Sequence, residues 1–465
     1  MSLTKVSYSM ITGDIVNVFD FMTTAMITDV QARTGTIDTA AAIQAAIDSL
    51  GTTGGVVRLP KGKYLTNAQI SLKQGVSLIG DGQIGGPSAT DEGITTIYAA
   101  HTGAAALSLK GVFGCRVSDL CLQGDQTTKP KVGLLLGRSS AASCGYHKIL
   151  RVSVYGYFSV ASVYSIASED NLWEDLNIWM YAGAGKYCFY TSTKDVLGVD
   201  SLTESSNLDN TVIRPFFVNS STDATSACIY YELAQAMGSW TFMGGYLTPY
   251  AGSYVQMNSG VVDSLAALGP FLFVGVSGEI LSGGDPTYGF NLSTSVAGQI
   301  ALPGLTITNP RLVFVAGATR YQFYQDPKIY LIQPNIVMQP QEAFPYATIS
   351  IVRKQIFGGI FSVGRYAFWE DAVFSSGWAN TYGYPAYAKA SYMIDATNTL
   401  SCRGTVTGGT GIIFILPVEY WPTYSMFFPF NGGILGVNTA GHVYLASGSA
   451  TAVDLTTIRF NYMEN

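Results

Sequence analysis

A strand-like unit of five residues recurs along most of this chain, and the recurrence constrains the fold more than any other feature of the sequence. The first, third and fifth residues of the unit are mostly apolar, as in a strand with one buried face. Successive units lie on average about 30 residues apart, with loose variation. The units are Ser118–Leu122, Leu150–Val154, Glu174–Ile178, Ile213–Phe217, Phe242–Tyr246, Val274–Gly278, Thr308–Leu312, Ile332–Ile336 and Phe357–Phe361. A coiled chain with one unit in each turn would bring them side by side.

A second strand-like unit lies between successive copies of the first. Its copies are Gly133–Leu136, Val163–Ile166, Cys188–Thr191, Cys228–Tyr231, Tyr254–Met257, Gly289–Leu292 and Gln322–Gln325. Two alternating strand sets predict a β-solenoid, in which rungs stack at about 4.8 Å and no rung can bury its face alone. A propeller would need four strands in each repeat and a more even period. We therefore predict an all-β chain with a parallel β-helix over residues 36–385.

Composition agrees with a folded chain and excludes two classes of partner. Hydrophobic residues make up 48% of the sequence and charged residues only 12%, the reverse of a disordered chain. No run of about 18 uncharged apolar residues occurs, so no membrane insertion is predicted. The formal net charge of -6 argues against nucleic acid, which requires a basic surface.

Cysteine and histidine usage gives no sign of a metal or another cofactor. The chain has 6 cysteines, no CxxC pair and 3 histidines, so a zinc site is not predicted. We interpret the cysteines as buried, reduced thiols.

One helix is predicted near the N-terminus. Residues 39–50 carry apolar side chains at helical spacing, Asp38 is a suitable N-cap, and Gly51 follows as the usual terminator. This helix is expected to cap the solenoid.

The segments around this helix resemble a known superfamily. Gly54–Tyr64 reads Gly-Gly-Val-Val-x-Leu-Pro-x-Gly-x-Tyr, and Gly75–Gly82 reads Gly-Val-Ser-Leu-Ile-Gly-Asp-Gly. Together with Val16–Phe21 they resemble the opening of pectate-lyase-like proteins, and of bacteriophage tailspikes among them. The usual Gly- and Asp-rich link is replaced by Met22–Met26, for which a loop is expected. The resemblance implies a right-handed parallel β-helix.

The same resemblance implies a partner and a location. Tailspikes of this kind are homotrimers of the virion tail, made in the host cytoplasm, that recognise and often cut capsule or O-antigen at the bacterial surface. Residues 1–35 are expected to be a lead-in that attaches the spike to another phage tail protein. Short strands between turns over residues 386–465 predict a small C-terminal β-sandwich. This sandwich resembles tail modules that trimerise or bind sugar.

Strand alternation identifies the outward-facing residues of the first unit. Its second position reads Asp119, Arg151, Asp175, Arg214, Met243, Gly275, Asn309 and Gln333. The alternating charges of the first four predict either a surface ion ladder or one side of a sugar groove. The next outward column holds Gln123, Tyr155, Trp179 and, further on, Glu279. Aromatic faces beside charges suit carbohydrate, so the substrate-binding candidates here are Arg151, Tyr155, Trp179, Arg214 and Glu279.

An acidic turn supplies the catalytic candidates. Residues 169–175 hold four carboxylates, and Asp170 aligns with Asp209 one rung later. Glu174 is assigned to an inward column, where burial would raise its pKa. A repeated Asx-turn would explain the alignment equally well. A paired-carboxylate glycosidase is the functional interpretation, with Asp170, Glu174, Asp175 and Asp209 as candidates.

Tyrosines mark a third region, on the second strand set. Tyr190, Tyr230 and Tyr324 share one outward column, and Glu232 and Asp326 share the next. We interpret this face first as a subunit interface, and keep Tyr230 and Glu232 as substrate-binding candidates.

Alternatives to hydrolysis remain open. A lyase acting on a uronate needs a base beside a cation, and His147 with Arg151 is the local pair that fits. A non-catalytic adhesin would need the aromatic groove but no convergent carboxylates. A structural tail component would not need exposed Trp179 and Tyr155 beside charge. The prediction is an endo-acting polysaccharide hydrolase.

Overall fold

The computed structural model describes residues 15–83, 94–233, 237–259, 269–294, 300–308, 310–314, 320–338, 347–350, 356–357, 360–363, 370–375, 377–380, 390–394, 399–417 and 420–461. The first 14 residues, in the predicted attachment segment, lie outside this range. The chain divides into two units: residues 1–335 with 341–359, and residues 336–340 with 360–465.

The first unit begins with helices that close one end of a coil of strands. A 3-10 turn at Val18–Phe21 leads into α-helix Thr24–Ala32, where a loop was expected. The Thr23 hydroxyl accepts a hydrogen bond from the Met26 N–H and caps this helix. The predicted helix follows as Ala40–Ser49, one residue shorter at each end than predicted, and the Asp38 carboxylate accepts the Ala40 N–H.

Three parallel strands form each complete rung. Sheet 1 contains Ile15–Asn17, Gly55–Arg58, Val76–Ile79, Leu172–Glu174, Asn210–Ile213, Trp240–Met243, Phe271–Val274 and Leu305–Thr308. Sheet 2 contains Gly62–Thr66, Thr95–Ala99, Asn177–Met180, Phe216–Asn219, Tyr246–Pro249, Ser277–Gly278 and Arg311–Leu312. The long strands Arg116–Gly124 and Lys148–Gly156 run through both sheets. All register pairs in these sheets are parallel.

Sheet 3 completes the rungs and corresponds to the second strand set. It contains Ile70–Ser71, Ala105–Lys110, Val132–Gly137, Ala161–Ile166, Tyr187–Ser192, Ala227–Glu232, Ser253–Ser259, Tyr288–Thr294, Arg320–Gln325 and Ala347–Ser350. A short parallel sheet joins Ile300–Pro303, Ile329–Ile332 and Ile356–Phe357, and Asn335–Met338 and Ile360–Val363 are further strands. The unit is a right-handed parallel β-helix, which confirms the predicted fold class.

Sheets 1 and 2 meet at a corner that uses one left-handed residue on each of six successive rungs, and again at Gln333 (φ 48°). These residues are Asp119 (φ 59°), Arg151 (φ 51°), Asp175 (φ 54°), Arg214 (φ 50°), Gly244 (φ 63°) and Gly275 (φ 63°). The register pairs Met243 with Ile213 and Val274, so Gly244 holds the position predicted for Met243. Because this conformation interrupts strand alternation, the residue before the corner also faces outward.

The interior of the β-helix is apolar and aromatic. One inward position of sheet 1 carries Val117, Ile149, Trp173, Val212, Phe242 and Phe273, all buried. The Trp173 ring meets Phe189 of sheet 3 edge to face, with ring centroids 5.2 Å apart. All six cysteines are buried and free, as predicted. No helix within the described residues is long and apolar enough to cross a membrane.

The second unit is a small antiparallel β structure. One sheet contains Glu370–Asp371, Ser391–Ile394, Thr399–Arg403 and Arg459–Asn461, and another contains Ala379–Asn380, Thr405–Thr407 and Val453–Asp454. The third contains Ile412–Ile415, Met426–Phe430, Gly433–Val437 and His442–Gly448. Their core includes Trp378, Leu400, Phe414 and Val437. Because strands before residue 386 already pair within it, this unit starts upstream of the expected boundary.

Candidate functional site

The charged residues at the corner between sheets 1 and 2 form ion pairs between rungs. Arg151 donates to both oxygens of Asp119, at 2.6 and 2.9 Å. Arg214 holds Asp175 in the same way, at 2.8 and 3.0 Å, and also donates to Glu174 Oε1 at 2.8 Å. This is the surface ion ladder, the first of the two interpretations of this column.

Glu174 is not in an inward column. It precedes the left-handed corner residue Asp175, and its carboxylate lies at the surface against Arg214. The prediction of a buried Glu174 is therefore wrong, because the corner shifts strand alternation by one residue.

His147 lies inside the β-helix and is fully buried. Its ring Nδ1 accepts the backbone N–H of Cys115 at 3.2 Å, and the backbone N–H of His147 donates to Asn171 Oδ1 at 3.0 Å. Burial lowers the pKa of His147 to about 4. Because Arg151 faces outward, the two do not form the base and cation that a lyase requires, and this part of the lyase prediction is wrong.

The outer face of sheet 2 carries a row of partly exposed aromatic side chains on three successive rungs. Trp179 and Phe216 have ring centroids 5.9 Å apart, and Phe216 stacks on Tyr246 at 5.6 Å and 8°. We call Trp179, Phe216 and Tyr246 the aromatic strip. The Tyr246 hydroxyl is hydrogen-bonded to the exposed Glu279, three rungs beyond Trp179. The strip therefore joins two predicted residues, Trp179 and Glu279.

Tyr155 does not extend the strip as predicted. Its exposed fraction is 7%, and it packs with Cys121, Ile94 and Trp179. Gln83 also contacts this face, where its Oε1 accepts from Ser153 Oγ at 3.5 Å. Residues that connect strands thus cover the N-terminal end of the sheet 2 face, and the open strip begins at Trp179.

Sequence reasoning missed two members of the strip. Phe216 holds the fourth position of its unit, which strand alternation places outward, so an exposed aromatic residue could have been predicted there. Tyr246 was concealed by the one-residue register error at Met243, which assigned it to an inward position.

A second group of polar residues lies at the opposite edge of sheet 1. Tyr146, Asp170 and Asp209 are left-handed residues on successive rungs, with φ of 57°, 54° and 56°. The Tyr146 side chain, 63% exposed, is hydrogen-bonded to Asp170. We call Tyr146, Glu169, Asp170 and Asp209 the acidic corner.

Glu169 differs electrostatically from an ordinary surface carboxylate. Partial burial raises its pKa, the charges of Asp170 and Asp209 raise it further, and Arg138 opposes them. The Ser206 hydroxyl donates to Glu169 Oε1. A carboxyl group whose pKa is raised by burial and by neighbouring carboxylates is the arrangement used for general acid catalysis. Glu169 was part of the acidic turn in the sequence but was not selected as a catalytic candidate.

The four predicted catalytic carboxylates form two separate groups. Asp170 and Asp209 occupy neighbouring rungs, about 4.8 Å apart along the stack. Asp170 and Asp175 are five residue steps apart along a nearly extended chain, which corresponds to about 16 Å. That distance exceeds the separation of about 5 to 9.5 Å between the two carboxyl groups of glycosidases. Asp175 and Glu174 therefore do not converge with Asp170 and Asp209.

Tyr230 and Glu232 lie beneath another part of the chain. Both have an exposed fraction of 6%, and Tyr230 stacks on Tyr190 at 4.9 Å. Val199 and Leu202, which follow sheet 3 strand Tyr187–Ser192, pack in the same cluster. The prediction that Tyr230 and Glu232 line a substrate surface is wrong for this structure, because both side chains are buried: the Tyr230 hydroxyl donates to Glu232 Oε2 at 3.1 Å and accepts from Asn258 Nδ2 at 3.0 Å.

In the part of the chain that the structure describes, no group of three or more His, Cys, Asp or Glu side chains is arranged to hold a metal ion.

Comparison with known proteins supports the resemblance at the N-terminal end. Residues 27–178 match the family described as Rhamnogalacturonase A/epimerase, pectate lyase-like. The predicted resemblance to pectate-lyase-like proteins is confirmed over these residues. No curated protein matches the sequence.

Several solved structures are similar in fold at low sequence identity. ORF18 of Geobacillus virus E2 has 14% identity and a TM-score of 0.44, over 96% of this chain and 79% of that one. A tailspike from an Acinetobacter baumannii bacteriophage, a capsular polysaccharide depolymerase, has 11% identity and a TM-score of 0.42, over 92% and 84%. PfbA, a surface adhesin of Streptococcus pneumoniae, has 11% identity and a TM-score of 0.41, over 82% and 98%.

Proposed function

We propose, from the pectate-lyase-like match of residues 27–178 and the outer surface of the β-helix, that this chain binds and depolymerises a bacterial surface polysaccharide. The substrate is a capsule or an O-antigen, and the reaction is endo-acting hydrolysis. The chain acts as a homotrimeric spike on a virion tail.

The observation that carries the proposal is the aromatic strip. Trp179, Phe216 and Tyr246 present partly exposed rings on successive rungs, so the row runs along the β-helix axis. Exposed apolar surface of this kind usually marks a binding site. Ring faces stack on the C–H faces of sugars, and Glu279 beside Tyr246 accepts hydrogen bonds from hydroxyl groups. An extended polymer lying along the axis would contact all three rings.

Cleavage is assigned to the acidic corner. Glu169 donates its proton to the glycosidic oxygen as the bond to the anomeric carbon breaks. Asp170 or Asp209 either attacks that carbon or takes a proton from the water that attacks it. The final products gain the elements of one water molecule. Because the corner lies across sheet 1 from the strip, the two would contact separate stretches of one long polymer.

The homotrimer would bury the outer face of sheet 1. Ile213, Met243 and Val274 lie outward on successive rungs there, and Met243 is exposed. Burial of such a row in a neighbouring subunit is favourable because it removes apolar area from water. Light scattering on a sizing column measures the oligomeric state, and Met243→Glu should weaken the trimer.

Purified protein spotted on lawns of capsulated and O-antigen-bearing bacteria, followed by mass spectrometry of the polysaccharide, tests the function. Oligosaccharides that have gained water support hydrolysis. Unsaturated uronate ends would show a lyase whose base is not His147. Neither clearing nor binding across a broad panel would reject the proposal.

A non-catalytic adhesin is the second candidate, favoured by one observation. Two of the predicted catalytic carboxylates, Glu174 and Asp175, are both neutralised by Arg214. Binding without cleavage, unchanged in Glu169→Gln, would establish this candidate.

A further inference from the structure

The register of sheet 2 continues the aromatic strip to an arginine. Phe216 pairs with Tyr246, Tyr246 with Ser277, and Ser277 with Arg311. These four residues therefore hold the same outward position on four successive rungs. Three steps of about 4.8 Å place Arg311 roughly 14 Å from Phe216 along the axis.

Arg311 differs from the other outward arginines of this face. Arg151 and Arg214 each make two hydrogen bonds to an aspartate of the rung before. Arg311 is exposed and has no ion pair with any side chain in the described ranges. Its guanidinium fork is therefore open to a ligand.

Arg311 and Glu279 lie on either side of the end of the strip without neutralising each other. The Glu279 carboxylate is held by the Tyr246 hydroxyl, and the Arg311 charge also acts on Tyr246. No ion pair within 4 Å joins Glu279 to Arg311 among the described residues. At this end of the strip, the Glu279 carboxylate is thus hydrogen-bonded to Tyr246, while the Arg311 guanidinium is open to a ligand.

We infer that the polysaccharide bound by the strip carries a carboxylated sugar, and that Arg311 binds its carboxylate. This inference rests on the proposed function and specifies its substrate class. A planar guanidinium donates two parallel hydrogen bonds to a carboxylate, a geometry that a lysine does not reproduce. The rings hold the neighbouring sugars, so that Arg311 sets which polymer is accepted and in which register.

The experiment compares one polysaccharide in two forms. The acidic capsular polysaccharide that binds most tightly is used as isolated and after its carboxylates have been reduced to primary alcohols. Wild type should bind the acidic form at least about tenfold more tightly than the reduced form. Arg311→Ala should lose that difference and bind the reduced form like wild type. Arg311→Lys should recover only part of the difference.

The control is Arg58→Ala, which removes the same charge from an exposed ion pair with Asp81, away from the strip. It should leave both affinities unchanged. The inference would be overturned if Arg311→Ala lost affinity equally for the acidic and the reduced polysaccharide. It would also be overturned if wild type bound the two forms with the same affinity. Neither result would contradict glycan binding itself. Phosphate-bearing polymers that bind better than carboxylated ones would also overturn it. Absence of binding to any polysaccharide would instead reject the proposed function.

Discussion

Arg214 holds Asp175 of the preceding rung through two parallel hydrogen bonds, Nε to Oδ1 at 2.8 Å and Nη2 to Oδ2 at 3.0 Å. Both residues are left-handed and lie at the corner between sheets 1 and 2. The pair links two neighbouring rungs at the point where the backbone of each rung turns from sheet 1 to sheet 2. Both oxygens of Asp175 are occupied, so this carboxylate is unsuited to act on a substrate.

Asp175→Asn should keep polysaccharide cleavage, since the residue lies about 16 Å from Asp170. The fork to Arg214 would be weakened, but an exposed ion pair contributes little to the free energy of unfolding. Initial rates of cleavage and chemical unfolding curves measure the two effects. If a folded Asp175→Asn protein no longer cleaved the polysaccharide, the catalytic residues would lie in the ion ladder and not in the acidic corner.

The solenoid was predictable from sequence because strand repeats, apolar alternation and the opening motifs agree. The corner between sheets 1 and 2 was not, because its left-handed residues are aspartate and arginine as well as glycine. Nothing in strand alternation marks such a residue, and for this reason Glu174 and Met243 were assigned to positions that are wrong by one residue. The helix Thr24–Ala32 was missed because its sequence replaces a link that is usually a loop.

The candidate site was only partly predictable for a different reason. Alternation identifies which residues leave the interior but not which of them another segment covers. Tyr155, Tyr230 and Glu232 all point outward, yet neighbouring side chains bury them, such as Ile94 against Tyr155 and Tyr190 against Tyr230. Trp179 stays partly exposed and Glu279 exposed.

Glu169→Gln should reduce the cleavage rate by about 10²- to 10⁴-fold, the usual contribution of a general acid. The amide preserves size but cannot supply a proton. Because the wild-type pKa is raised, the protonated form persists to higher pH than for an ordinary glutamate, and the rate should fall as pH rises through that pKa. The rate of wild-type cleavage, measured as a function of pH, tests for this decrease.

Glu204→Gln provides the matched control for this substitution. Glu204 is an exposed glutamate paired with Lys194, five residues from Asp209. Its loss should leave cleavage and the pH profile unchanged. Comparable losses in both variants would indicate damage to the loop rather than loss of an acid at Glu169.

Phe216→Ala should weaken polysaccharide binding more than cleavage of a saturating substrate. Phe216 contacts both other members of the strip, so its removal interrupts the row. The loss of affinity should be about 2- to 10-fold if one ring contact is worth about 0.5–1.5 kcal/mol. Tyr424→Ala, an exposed aromatic of the second unit, is the control and should bind like wild type. Identical affinities for Phe216→Ala and wild type would exclude the strip as the binding surface.

His147 should make the protein less stable as the pH falls. In the folded chain its pKa is about 4, because burial opposes the charged form, whereas an exposed histidine has a pKa of about 6.5. Between these values the unfolded chain binds more protons, so the free energy of unfolding decreases from about pH 6.5 down to about pH 4. The shift corresponds to a loss of roughly 3 kcal/mol. Denaturant unfolding at several pH values measures it.

His147→Gln should flatten this pH dependence, although it also loses some stability at neutral pH because the hydrogen bond from Cys115 N–H is disturbed. His101 is also buried and its pKa is also lowered, so the difference between wild type and variant isolates the contribution of His147. The variant should retain cleavage, since the ring faces the interior and cannot contact a sugar. Cleavage that disappears in a folded His147→Gln protein would contradict the buried placement, and an unchanged stability slope would contradict the neutral state of the ring.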